Sequence, residues 1–382
     1  MSTRPSPDWN PRDAAVLRDQ RHAYDEMREQ CPVAYSDFLD WSLFRHADVV
    51  EVLAAPDLYS SASRHRAVPN GMDPPEHTLY RRALAPYFLP EAMRAFEPDC
   101  RRIAVDLVQA LLAREDAELI TAFAEPFAIK SLCAFLGWPP ETWESLRGWT
   151  HGNQEAALSR DREKGAALAR EFTGYVTAAL QARREAGARA TEDVTTSLLE
   201  TEVEGEPLSQ EDIVSVLRNW TAGHGTVAAA VGNLALYLAE HPDAQQQLRR
   251  EPSLLPAAID EILRADGPLV ANRRTTTREV EIEGRAIAAG AKISLNWIAA
   301  DRDEHAFADP DAVRFDRDPS GNLLFGAGIH DCLGAPLARL EMRVALEELL
   351  ARTTVIELDS TQQVSRAVYP SNGVAHLPVR LR

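Results

Sequence analysis

The sequence predicts a mainly α-helical chain with small β-sheets, an α+β fold organised as one large domain over residues 1–382. Three observations carry that prediction. Helix-period apolar patterns occupy most of the chain, whereas period-two alternation is confined to short stretches. The hydrophobic fraction of 45% is ample for one large core. No Gly/Ser- or Pro-rich linker and no internal repeat divides the 382 residues, so the usual length rule of two or three domains is set aside.

In chain order, Asp13–Gln30 is amphipathic and predicts a first helix, and Cys31–Phe44, rich in Val, Tyr, Trp and Phe, predicts a hairpin before a helix over Ala47–Leu53. Helical patterns then run over about Pro75–Leu89, Pro90–Arg114, Phe127–Leu136, Pro140–Ser159 and Lys164–Ala186. A longer helix has sharp ends: Ser209 with Asp212 three residues on forms a capping box, and His241-Pro242 closes the pattern. Near its middle lies Ala222-Gly223-His224-Gly225-Thr226, where each glycine costs about 1 kcal/mol relative to alanine. Two readings account for that cost. One is close packing against a neighbouring helix; the other is a flat ligand that needs room on this face, with a local widening of the helix. After Pro256 a helix is expected to about Arg264, then strands around Arg274–Ile282 and Lys292–Trp297. An Asp- and Pro-rich ordered loop, Arg302–Pro319, precedes Cys332, and a helical pattern follows through Ala351. The closing His376-Leu377-Pro378-Val379 reads as sheet.

The formal net charge of -17, with no compensating basic stretch, argues against nucleic-acid binding. Cys31, Cys100, Cys133 and Cys332 match no zinc or disulfide spacing, which points to a reducing compartment. The start MSTRPSPDWNPRDA has no apolar leader core, and no segment approaches the roughly 18 apolar residues of a membrane span. A cytoplasmic protein is expected.

Cys332 ends the run Phe325-Gly326-Ala327-Gly328-Ile329-His330-Asp331-Cys332-Leu333-Gly334. The glycines permit a tight loop close to a flat ligand, and the N-terminus of the next helix lowers a thiol pKa through its N–H groups and dipole. A thiolate held in this way is a strongly donating axial ligand for haem iron. The run F-G-x-G-x-H-x-C-x-G resembles the haem-ligand loop of the cytochromes P450, and the resemblance extends from the first hairpin to the C-terminus.

That resemblance implies a triangular helical body around a buried haem b with Cys332 as axial thiolate, and Ala222, Phe325, Gly326, His330 and Gly334 at the cofactor. It implies that His77 and Arg81, in Asp73-Pro74-Pro75-Glu76-His77-Thr78-Leu79-Tyr80-Arg81-Arg82, hold haem propionates with His330 and Arg274. Arg274 is preferred to Arg273 because Thr275–Ile282 matches the family's strand. Glu261 and Arg264, in an E-x-x-R motif, are expected to join Arg317 in a buried network that fixes the ligand loop. Thr226 is the distal alcohol that organises dioxygen and its protons. The family usually carries an acid just before it; here that place is Gly225, with His224 as an alternative relay. Leu269, Val270, Ser371 and Asn372 are expected to line the substrate pocket. The loop Ala62–Met72 is short for the family, and Val68–His77 resembles the subgroup of reductase-fused members and their unfused relatives, which act on aromatic ethers and other small xenobiotics. The implied activity is monooxygenation of a small organic substrate by O2. A separate ferredoxin or flavodoxin with its reductase would dock near Arg82, Arg339 and Arg343 of a monomer. A peroxide-driven enzyme and a non-catalytic haem sensor are the alternatives.

Overall fold

The computed structural model describes residues 5–114, 116–187 and 192–382, so the N-terminal stretch is described only from Pro5. The chain divides into two compact units interleaved in sequence. The first comprises Met1–Ala62, Ala257–Cys332 and Arg366–Gly373, and the second Ser63–Pro256, Leu333–Ser365 and Val374–Arg382.

The first unit is built on a five-stranded sheet in the order Val33–Ser36, Asp40–Leu43, Lys292–Asn296, Ala271–Thr276, Tyr59–Ser60. The expected hairpin pairs Val33 with Leu43, and Lys292–Asn296 joins it in parallel, with Ile293 opposite Trp41. All four residues of Val33–Ser36 are buried. Val33, Leu43, Val49, Val52, Ile293 and Leu295 belong to one apolar cluster, which seats the helix His46–Ala54 on the sheet. The single helix expected over Asp13–Gln30 is two helices, Ala14–Arg18 and Gln20–Gln30. Asp19 separates them because its carboxylate accepts from the His22 N–H, capping the second helix instead of continuing the first.

The second unit is helical, with Gln210–Glu240 packed against Glu125–Leu136, Trp143–Ser159, Arg162–Ala186 and Ala335–Arg352. Its capping box forms as expected, with both the Ser209 and the Asp212 side chains engaged. His241 caps its end, and Pro242 opens a further helix, Pro242–Arg250, which its missing N–H allows at a first position. The local widening that one of the two readings includes is not present: the helix is α throughout, and a π turn stands elsewhere, at Ile120–Ala124. Strands Ile356–Leu358, Pro378–Leu381 and Ala117–Glu118 form an antiparallel sheet that contains the expected C-terminal strand. No helix among the described residues is long and apolar enough to cross a membrane.

Candidate active site

Gly326 and Gly328 adopt φ values of 71° and 72°, a region glycine enters without strain. A Cβ on Gly328 would lie 2.7 Å from the Leu53 carbonyl oxygen, so this loop is pressed onto the helix His46–Ala54. The Cys332 N–H donates to the Phe325 carbonyl at 2.8 Å and closes the loop. At its end the Cys332 thiol is exposed, whereas Cys100 and Cys133 are buried. Burial pushes the Cys133 thiol up to about 12 and the Cys100 thiol higher still. Cys332 is therefore the thiol placed to meet a ligand. The helix behind it begins at Ala335, with Gly334 at its cap.

The chain leading to this loop is fixed by the expected network. Glu261 accepts from Arg264 Nε at 2.8 Å and Nη2 at 3.0 Å, from Arg317 Nε at 2.7 Å and from the Arg314 N–H at 3.1 Å. Arg264, 1% exposed, also donates to the carbonyls of Asp301 and Pro310, and Arg317 to those of Ala308, Asp309 and Ala312. Burial would raise the Glu261 carboxyl. The hydrogen bonds from Arg264 and Arg317 outweigh it and hold the group below the ordinary value. Asp301 accepts from the Leu323 N–H at 2.8 Å, and its own burial raises its carboxyl to about 8.

In the second unit, the middle of Gln210–Glu240 opens. Ala222 and Gly223 are exposed and Thr226 half-buried, between long buried stretches. The two glycines serve different ends. A Cβ on Gly223 would meet nothing within 4 Å, whereas one on Gly225 would meet Thr150 Cγ2 at 2.8 Å. Room for a ligand thus explains Gly223, and close packing explains Gly225. The Thr226 hydroxyl makes no hydrogen bond among the described residues.

His224 departs from its expected role as a relay. It is buried and turned to the helix Ala335–Arg352, with Nε2 3.2 Å from Glu341 Oε1 and Nδ1 donating to the Trp220 carbonyl at 2.8 Å. Burial pulls the imidazolium pKa down, but the Glu341 charge and the hydrogen bonds to Glu341 and Trp220 bring it above the ordinary histidine value. Glu341 was not singled out in the sequence. Its signal is a carboxylate at an apolar-period position, beside Leu337, Leu340 and Val344.

Other expected residues divide similarly. His77 is buried and Arg81 half-buried on Glu76–Leu84, while Arg274 and His330 are half-buried in the first unit. Arg273 is exposed and donates to the Tyr369 hydroxyl at 2.8 Å. The expected pocket liners Leu269, Val270, Ser371 and Asn372 do come together, through a bridge between Leu269 and Ser371. Ser371 and Asn372 also tie the chain to itself here. Asn372 donates to the Gly267 carbonyl at 3.0 Å, Ser371 Oγ accepts from the Gly373 N–H at 3.1 Å, and both residues are buried. Of the expected partner contacts, Arg82 and Arg339 are exposed, but Arg343 is bound to Glu97 at 2.7 Å and Glu347 at 2.9 Å. The short loop after Ala62 is strapped to the long helix. Val68 N–H donates to Ser215 Oγ at 2.8 Å, Asn219 Nδ2 to the Val68 carbonyl at 2.9 Å, and Arg66 pairs with Asp212.

The residues present fit a haem. In the first unit a thiol is exposed at the end of a loop whose apolar Phe325, Ala327 and Ile329 are only half-buried, and in the second unit a helix face is left without side chains at Gly223. Cationic donors for anionic edge groups lie on Glu76–Leu84 and Ala271–Thr276.

The model of the family "Cytochrome P450" matches residues 154–375. Cytochrome P450 109 of Bacillus spizizenii is 33% identical over 94% of this chain and 91% of its own length. The erythromycin C-12 hydroxylase of Saccharopolyspora erythraea is 34% identical over 92% of each. Among solved structures, a mutant of P450 EryK in complex with erythromycin B superposes with a TM-score of 0.87 at 31% identity, covering 96% of this chain and 97% of that one. Ligand-free P450 TbtJ1 gives 0.85 at 32%, over the whole of both chains. The chain belongs to the cytochrome P450 family, and is an oxidoreductase that incorporates oxygen and carries haem on a cysteine thiolate.

Proposed function

We propose that this protein inserts one oxygen atom from O2 into a small, mostly apolar organic substrate, by hydroxylation or oxidative O-dealkylation, with residues 1–382 acting as one haem domain. The observation that carries the reading is the exposed Cys332 thiol at the end of a loop braced by Gly328 and, upstream, by Glu261, Arg264 and Arg317. Haem, when bound, supplies dioxygen reduction and substrate oxidation, and thiolate donation favours O–O cleavage. The chain's own residues do the rest. Cys332 would hold the haem iron through its thiolate. His77, Arg81, Arg274 and His330 hold the propionates by charge and hydrogen bonds. The Thr226 hydroxyl holds solvent that brings protons, and Leu269 beside Val270 presents apolar surface to the substrate. Relatives named linalool 8-monooxygenase, erythromycin C-12 hydroxylase and vitamin D(3) 25-hydroxylase support oxidation of an organic substrate. Electrons come from a separate ferredoxin or flavodoxin with its reductase, which meets Arg82 and Arg339 on a cytoplasmic monomer.

A peroxide-driven enzyme is the second reading, favoured by Gly225: with no side chain there and His224 bound to Glu341, neither residue relays a proton. The test is the reduced, carbon monoxide-bound spectrum of wild type and Cys332→Ser, followed by turnover with a ferredoxin and its reductase or with hydrogen peroxide alone. A thiolate-type carbonyl band lost in Cys332→Ser, with product only from the reductase system, is expected. Product from peroxide alone establishes the second reading, and a histidine-type band in wild type overturns both.

A further inference from the structure

The notch at Gly225 is filled from the helix Trp143–Ser159. Thr150 presents only its methyl there, because its hydroxyl donates to the Leu146 carbonyl at 2.9 Å. Beside that methyl, 3.6 Å from where a Gly225 Cβ would stand, is the side-chain amide of Gln154. Gln154 is half-buried and makes no hydrogen bond among the described residues. Thr226, the next residue along the helix, has an equally uncommitted hydroxyl. The ionisable alternative is engaged elsewhere, since both ring nitrogens of His224 are taken by Glu341 and Trp220.

We propose that Gln154 is a positioning residue for oxygen insertion, its amide orienting the solvent that the Thr226 hydroxyl holds. The inference rests on the monooxygenase reading. An amide both donates and accepts but does not ionise near neutrality, so Gln154 orders water without supplying a proton. The protons come from bulk solvent. Thr150 fixes the distance between the two helices, which sets how near the amide stands to the helix backbone.

Two experiments on the haem-loaded protein test this. The first is packing. Alanine ordinarily favours a helix over glycine, yet Gly225→Ala is expected to lower the melting temperature by about 2–5 °C, because its methyl overlaps Thr150 Cγ2. Thr150→Ser, which keeps the hydroxyl and removes that methyl, is expected to restore it in the double variant. A Gly225→Ala protein as stable as wild type would mean the notch is not filled and would overturn the placement of Gln154.

The second is coupling, measured as product formed per electron pair consumed. Gln154→Leu is expected to lower it roughly ten-fold, less than the ~100-fold of a lost direct proton donor, with substrate affinity and melting temperature unchanged. Gln154→Glu is expected to keep coupling and to make it pH-dependent in the carboxylate range. Wild-type coupling in Gln154→Leu sinks the inference while leaving the monooxygenase reading intact. A wild-type protein that forms no product sinks that reading, and the melting cycle still reports on the notch.

Discussion

Glu261 in the first unit and Glu341 in the second are both buried against a cation, and the two clusters are built differently. In the first unit Glu261 meets two permanent cations and a backbone N–H, and both of its oxygens are engaged. In the second, Glu341, wholly buried, meets one titratable ring, and its Oε2 has no hydrogen-bond partner among the described residues. Because the Trp220 carbonyl can only accept, His224 Nδ1 carries a proton, and the proton between Nε2 and Glu341 is the one that the pair gains or loses. A buried charge is insensitive to pH near neutrality when guanidinium forks saturate it, and sensitive when an imidazole is the only partner.

The largest expected effect breaks the saturated cluster. Arg264→Ala removes two of the hydrogen bonds to Glu261 and the donor of the Asp301 and Pro310 carbonyls, and is expected to cost about 3–5 kcal/mol in chemical denaturation. Arg264→Lys should recover only part of this, since an ammonium cannot reproduce the fork. A loss no larger than that of a surface pair would show that Arg317 alone sustains the network.

Next comes the second cluster. His224→Leu strands a buried carboxylate and is expected to cost about 3 kcal/mol. The sign of its pH dependence follows from the raised histidine. The contribution of His224 is complete below its ordinary value of 6.5 and is lost as pH rises through the higher folded value. Glu341→Gln should remove that alkaline decline, which denaturation curves above pH 6.5 will check.

Asp301→Asn sharpens the contrast. Asp301 is raised to about 8 in the folded state from 3.8, so the native protein keeps a proton that the unfolded chain gives up. Stability therefore falls as pH rises from 3.8 towards 8 and is flat beyond, a decline that the asparagine should abolish. If the acid-to-neutral slope persists in Asp301→Asn, the titrating group in the first unit lies elsewhere. The smallest effect is a yardstick outside both clusters. Ser209→Ala removes one arm of the capping box and should cost about 1 kcal/mol at every pH near neutrality.

Legibility in the sequence tracked sequence distance. Glu261 and Arg264 sit three apart on one helix, so their meeting is a matter of helical geometry. Ser209 and Asp212 are another such pair, and the glycines of the Cys332 loop carry their own backbone requirement. Elements with long periodic patterns were read to within a few residues. The helix over Asp13–Gln30 was misread because apolar periodicity continued across Asp19 while its carboxylate capped a new start. The bonds that Ser371 and Asn372 make to the chain around them are not legible in the sequence, because a polar residue in a turn looks the same whether it faces a ligand or ties the chain to itself.

By itself the sequence determined the helical class, the capped long helix, the thiol loop and the haem-thiolate chemistry, because each depends on residues within a few positions of one another. Tertiary structure decided the rest. It turned His224 towards Glu341, 117 residues away, strapped Arg66 to Asp212 and gave Gly225 its reason in a methyl on Thr150. These contacts join segments that the chain visits far apart, and no local propensity states which buried side chain will meet which. Packing at near-crystalline density makes that choice.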